Sequence, residues 1–217
     1  IHRDRRVVDL EGACQEKMLG YDRLIIAQGS AAFIPPPLKS YHDQFFCLNS
    51  LADLKTLRKF RQGILSQNRH PDWAIIGGGL IGCEVASDLA FAGDSVTVYH
   101  AMDRLMERQL AEEDSLSLLE NLNHAGVDVL LNQSVHSLAR EGDKVCVLTE
   151  TAAEFDAVIV ACGFKPRTEL AQQAGLAIGR GIKVDDCLRT SDENIYALGD
   201  VAELPSGKLY AYILPIR

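Results

Sequence analysis

The stretch Trp73-Ala74-Ile75-Ile76-Gly77-Gly78-Gly79-Leu80-Ile81-Gly82-Cys83-Glu84 decides the fold. Its first four residues form a short, wholly apolar run, the composition of a strand buried on both faces. Gly77, Gly79 and Gly82 then fall at G-x-G-x-x-G spacing, and a helical pattern continues to about Ala92, where Gly93 stops it. Each glycine has a mechanical reason. Gly77 permits a tight turn, Gly79 lets the backbone approach a pyrophosphate, and Gly82 lets the helix pack closely on the strand. The free N–H groups at the helix start, near Leu80 and Ile81, face such an anion with the favourable end of the helix dipole.

Outward from this loop the pattern continues as a dinucleotide-binding fold requires. Ser95-Val96-Thr97-Val98-Tyr99 reads as the next strand, 110–124 as a helix closed by Gly126, and 127–131 as a third parallel-type strand. The pattern then changes: 135–140 and 144–148 flank Glu141-Gly142-Asp143, a turn signal that makes them antiparallel partners. Residues 156–160 read as another buried strand, stopped at Gly163. Upstream, 6–10 and 21–27 read as strands, and Pro35-Pro36-Pro37 is expected to forbid regular structure and mark a domain boundary. A helix is expected over 50–61, where Ser50 and Asp53 resemble a capping box. A helix near 168–174 and short strands near Ile182 and Ile195 complete the chain.

The second strand of such a fold ends in an acid that holds the adenosine ribose. Here His100 stands in that place, with Asp103 and Arg104 shortly after. His100 and Arg104 suit a 2′-phosphate, whereas Asp103 suits a plain ribose, so NADH and NADPH both stay open. Glu84, just inside the helix, reads on its own as a first-turn acid favoured by the dipole.

Composition bounds the function. The 217 residues are 47 % hydrophobic and 24 % charged, which is ordinary globular composition, and 22 basic against 30 acidic side chains give a net charge of -8. That balance disfavours broad nucleic-acid binding. Without an apolar run of membrane-span length or a signal-peptide pattern, the chain is expected to be soluble and cytoplasmic, with no membrane contact. The six cysteines include no Cys-x-x-Cys pair, so neither a zinc site nor a dithiol motif is visible, and small buried thiols are expected.

Several motifs in fixed order resemble the pyridine-nucleotide-dependent flavoprotein reductases, the FAD-dependent pyridine nucleotide-disulfide oxidoreductase superfamily. The segment Tyr21-Asp22-Arg23-Leu24-Ile25-Ile26-Ala27-Gln28-Gly29-Ser30 is similar to the strand that leaves their flavin half, with Gln28 where the family usually has threonine. The Gly77 loop is similar to their nicotinamide-domain loop. Asp156-Ala157-Val158-Ile159-Val160-Ala161-Cys162-Gly163-Phe164-Lys165-Pro166-Arg167-Thr168 resembles the return to the flavin half, and Ile195-Tyr196-Ala197-Leu198-Gly199-Asp200-Val201-Ala202 the second flavin motif. The tail 209–215 most resembles rubredoxin and flavorubredoxin reductases.

This resemblance implies an α/β fold: a Rossmann-like dinucleotide-binding domain, with a parallel sheet plus antiparallel meander, inserted in an incomplete FAD-binding domain of related fold. The expected division is 1–38 and 161–217 for the partial FAD-binding domain and 39–160 for the NAD(P)-binding domain. The family's own FAD glycine fingerprint lies upstream of its Tyr21 equivalent, so the chain is expected to be an internal fragment, itself inactive, whose flanks, about 1–38 and 161–217, are either poorly ordered or rearranged, for example by pairing between copies, for want of sheet neighbours. By resemblance, Gly77, Gly79, Leu80, Ile81 and Gly82 cradle the NAD(P) pyrophosphate, with Glu84 and Gly163 near the nicotinamide. Ala27, Gly29, Gly199, Asp200, Ala211 and Tyr212 serve FAD. The implied chemistry is hydride transfer from nicotinamide to FAD and electron release to rubredoxin or a similar iron protein, with no catalytic side chain and no metal. A non-enzymatic NAD(P)-binding or redox-sensing module is the alternative. It needs only the Gly77 loop and leaves Gly163 and Asp200 unexplained, as does a methyltransferase.

Overall fold

In the computed structural model, residues 1–10, 12 and 17–209 are described. They divide into two compact units: one drawn from Ile1–Ala31 and Phe164–Arg217, the other from Ala32–Gly163.

The second unit is built on a four-stranded parallel sheet. Its spatial order is Ala157–Val160, Asp72–Ile76, Ser95–Tyr99, Val127–Leu130. The apolar run at 73–76 is explained by what covers each face. Trp73 and Ile75 enter one core with Ala86 and Leu89 of the helix Leu80–Phe91 and Leu122 of the helix Glu112–His124. Ala74 and Ile76 point the opposite way, into a second core with Leu38, Val145, Val147 and Phe155. A strand with no solvent face needs no polar alternation. The second core is roofed by an antiparallel sheet of Ser137–Glu141, Lys144–Leu148 and Ala152–Phe155, the expected pair plus one strand that the sequence pattern did not reveal.

The helix Leu51–Leu65 starts where the cap signal placed it. The Ser50 hydroxyl accepts from the Asp53 backbone N–H at 3.1 Å, and the Asp53 carboxylate accepts from the Asn49 N–H at 3.0 Å. Replacing Ser50 with alanine is expected to cost about 1 kcal/mol of stability, read as a lowered thermal midpoint.

The triple proline corrects the expectation of no regular structure. Pro36–Tyr41 is a 3-10 helix with Pro35 as its N-cap. Proline lacks only an N–H that a first helical turn leaves unpartnered, and its fixed φ is already helical. The turn delivers Leu38, fully buried, to the second core.

The flanking segments also differ from expectation, since they close on each other. Leu24–Ile26 pairs in parallel with Ile195–Ala197, Ile25 opposite Tyr196, and Val7–Asp9 pairs antiparallel with Met18–Gly20. Ile26, Ile182, Ile195, Ala197 and Val201 form a core of their own. Burial of those apolar side chains replaces the sheet neighbours whose loss was expected to loosen the flanks. Among the described residues, no helix is long and apolar enough to cross a membrane.

Candidate functional site

In the parallel sheet, Asp72–Ile76 lies between Ala157–Val160 on one side and Ser95–Tyr99 on the other. The chain order reverses at this strand, and a crevice at the carboxyl ends of such strands is where open α/β sheets bind ligands. Gly77–Gly82 leaves the first strand there, His100 the second, and the 161–163 segment the fourth.

The three glycines of the loop have separable duties. Gly77 has φ +115°, and a Cβ there would meet the Ala161 carbonyl oxygen at 2.5 Å. A Cβ on Gly82 would overlap the Gly77 carbonyl oxygen, so the helix start is pressed against the turn. A Cβ on Gly79 meets nothing within 4 Å. Gly79 is the helix N-cap and offers no side chain to the first turn, which leaves the N–H groups of the opening residues, Leu80 and Ile81 among them, without intrahelical acceptors. Open space beside donors that the helix itself leaves without acceptors fits an incoming pyrophosphate.

Glu84 is exposed on the same helix and lines a cleft of about 620 Å³ with Leu80, Cys83, Met106 and Asn121. Gly163 is exposed, has φ +99°, and would meet nothing if it carried a Cβ. Its backbone conformation therefore asks for glycine, and any ring laid against it meets no side chain.

His100 and Arg104 point inward. His100 is 7 % exposed; its Nδ1 accepts from the Gly78 backbone N–H at 3.0 Å and its Nε2–H donates to the Arg104 carbonyl at 2.9 Å. The Arg104 guanidinium donates to the carbonyls of Leu110 and Glu107 and to the Ser115 hydroxyl. A contact from His100 to a 2′-phosphate would break one of its two internal bonds. Sequence reasoning missed Gly78, the buried middle glycine; only the Gly77-Gly78-Gly79 triplet hints at a residue with no room for a Cβ, which here would lie 2.9 Å from His100 Cγ.

In the first unit the parallel pair brings two motifs to one end. Ala27 and Gly29 follow Leu24–Ile26, while Gly199 and Asp200 follow Ile195–Ala197. Ala27 is exposed, and both glycines have positive φ, +67° and +74°, with open space where a Cβ would be. The Ser30 hydroxyl donates to Asp200 Oδ2 at 2.8 Å, which fixes the carboxylate. Ser30 closes the Tyr21–Ser30 motif, but sequence reasoning gave it no role, because its partner Asp200 lies 170 positions away. Ala211 and Tyr212 lie outside the described residues.

Among the described cysteines, Cys83 and Cys162 are poor nucleophiles. Burial, with the Glu84 charge adding to it, pushes the Cys83 thiol up to about 11, and burial with the neighbouring Cys47 does the same for Cys162. Thiols held neutral react slowly. Among the described cysteines, iodoacetamide is expected to label exposed Cys187 first, with Cys83 and Cys162 at least about tenfold slower until the chain unfolds. Peptide mapping of the labelled chain checks this order.

Residues 1–211 match the family described as pyridine nucleotide-disulphide oxidoreductase. The chain belongs to this family. It is 39 % identical over 198 residues to a nitric oxide reductase FlRd-NAD(+) reductase of Vibrio vulnificus, covering 90 % of this chain and 50 % of that protein. A protein of the same name from Salmonella gallinarum is 36 % identical, with 94 % and 52 % covered. The chain thus spans about half the length of the curated relatives it matches. Among solved structures, a putidaredoxin reductase in covalent complex with putidaredoxin superposes with a TM-score of 0.84 at 33 % identity, covering 94 % of this chain and 49 % of that one. A NAD-dependent persulfide reductase from A. fulgidus gives the same score and identity, with 94 % and 37 % covered.

Proposed function

We propose that this chain carries the nicotinamide-binding part, and a portion of the flavin-binding part, of an NAD(P)H-dependent flavoprotein reductase that delivers electrons to rubredoxin or a similar iron protein. The observation that carries the reading is the Gly77–Gly82 loop at the reversal point of the parallel sheet, with Gly79 clear and the first helical N–H groups lacking intrahelical acceptors. On this reading, 39–160 holds the dinucleotide, and 1–38 with 161–217 contributes to the flavin site.

The chain's residues act by holding. The helix N-terminus at Leu80 and Ile81 binds the pyrophosphate, and the Gly77–Ala161 contact fixes the turn that aims it. Gly163 leaves a flat approach for a ring, and Glu84 is exposed on the helix that starts at the loop. Asp200, oriented by Ser30, presents a fixed carboxylate to the hydroxyls of a flavin side chain. When bound, the nicotinamide supplies a hydride and the flavin accepts it and releases electrons singly. The iron-protein partner is supported by the FlRd-NAD(+) reductase relatives and by the putidaredoxin complex.

The test has two parts. A protein of the relatives' full length is expected to be yellow and to oxidise NADH or NADPH faster when rubredoxin is added. The present chain is expected to quench NADH fluorescence on binding yet show no reductase turnover. A colourless full-length protein that takes up no flavin would overturn the reading and favour a dinucleotide-binding module without redox chemistry.

A further inference from the structure

The imidazole of His100 joins two loops that are far apart in sequence. Its Nδ1 takes the buried N–H of Gly78, and its Nε2–H reaches the Arg104 carbonyl. Its backbone is pinned as well: the His100 N–H donates to Leu130 at 2.9 Å, and its carbonyl accepts from Gln133 at 2.9 Å. On the other side of the joint, the Gly78 carbonyl accepts from the Met106 N–H at 2.9 Å. Arg104 and Ser115 hold the loop between them, the Ser115 hydroxyl donating to the Leu105 carbonyl at 2.7 Å. The turn that aims the helix donors is therefore braced through one ring.

Only one form of that ring satisfies both bonds. The Gly78 N–H needs a lone pair on Nδ1, and the Arg104 carbonyl needs a proton on Nε2. A second proton would go to Nδ1 and set two donors against each other around a buried backbone group. Groups from three elements face the ring. From the 101–111 loop, the Glu107 carboxylate lies 3.4 Å from Nε2, Arg104 presents its carbonyl, and Asp103 is exposed nearby. From the helix, Cys83 lies against the Gly78 carbonyl as a neutral thiol. From the strand Val127–Leu130 and the turn after it, the backbones of Leu130 and Gln133 make hydrogen bonds to the residue.

We propose that His100 is a positioning residue for dinucleotide binding, which as a neutral ring holds the Gly77-Gly78-Gly79 turn and on protonation releases it. The proposal rests on the reading of that turn as the dinucleotide site. Acid then weakens binding without any titration of the dinucleotide itself.

The test titrates the present chain with NADH at about pH 8 and about pH 5.5, a span across which imidazoles gain a proton. Wild-type affinity is expected to fall about tenfold in acid, the scale of one lost buried hydrogen bond. His100→Asn keeps an acceptor near the Nδ1 position but does not titrate, so it is expected to recover part of the affinity and to lose the acid dependence. His100→Leu is expected to bind weakly at both values. Equal acid dependence in wild type and His100→Asn would overturn the proposal. A second measurement needs no NADH: the exchange protection of the Gly78 amide is expected to drop in acid in the wild type but not in His100→Asn. Should NADH bind none of the proteins, the functional reading fails. The exchange result still decides the role of His100: protection that is insensitive to acid, or lost equally in both proteins, sinks it.

Discussion

Gly82→Val is expected to destroy dinucleotide binding and to lower folding stability by about 3 kcal/mol or more. The reason is backbone, not side chain. A Cβ at this position overlaps the Gly77 carbonyl oxygen, comes within 3.0 Å of the Gly77 carbonyl carbon and lies 3.6 Å from Ala161 Cβ. No rotamer relieves a clash between a Cβ and a carbonyl, so the helix must move off the strand that Trp73 and Ile75 anchor. Gly79→Ala makes the contrast. Its φ is -82° and its Cβ would meet nothing, so stability is expected to stay within about 1 kcal/mol of wild type while NADH affinity falls at least about tenfold. Urea unfolding of both variants, with and without NADH, separates the two roles. A stable, NADH-binding Gly82→Val would show that the helix tolerates displacement and that the close fit has no function.

The contrast also marks how far the sequence was legible. Strand, glycine loop and helix were readable because their signal is periodic and local: an apolar run, three glycines at fixed spacing, and a stop at Gly93. The whole parallel sheet followed from it. The strands that went unread are short and carry no period, such as Met18–Gly20, Ser30–Ala32 and Phe164–Pro166, each of three residues. Ala152–Phe155 has an alternating burial pattern, but its small and acidic residues hide it. The proline turn misled because proline was read as a breaker where it is a helix start. At the candidate site, residue types were legible but directions were not. Nothing in Tyr99-His100-Ala101 says that the ring turns beneath Gly78, 22 residues earlier, because the cause is a buried N–H that appears only once the loop is folded.

Asp94→Ala is expected to cost about 3 kcal/mol, since it leaves the buried Trp73 Nε1–H without its acceptor and takes the shared partner from Arg61 and His70. Asp94 ends the turn after Gly93, and its side chain is fully buried. Its carboxylate accepts from Arg61 Nε at 2.7 Å and Nη2 at 2.9 Å, from His70 Nδ1 at 2.9 Å and from Trp73 Nε1 at 3.0 Å. It thus ties the helix Leu51–Leu65 to the central strand, a link that no local sequence pattern announces. Burial alone would push this carboxyl up, but the hydrogen bonds from Arg61, His70 and Trp73 outweigh it and hold the group below the ordinary carboxylate value. Asp156 behaves alike: against burial, Arg69, the Asp72 N–H and Lys144 hold it down at about 2. A carboxyl lowered in the folded state contributes its full stabilisation above the unfolded value of about 4 and loses it as pH falls through the folded value. Unfolding midpoints in urea are therefore expected to drop between about pH 4 and about pH 2, and Asp94→Asn, which cannot ionise, to show a shallower acid limb from a lower start. Trp73 reports directly, being the chain's one tryptophan, buried and bonded to the carboxylate. If Asp94→Ala costs less than about 1 kcal/mol by Trp73 fluorescence, water has replaced the carboxylate as acceptor and the linkage is not a structural necessity.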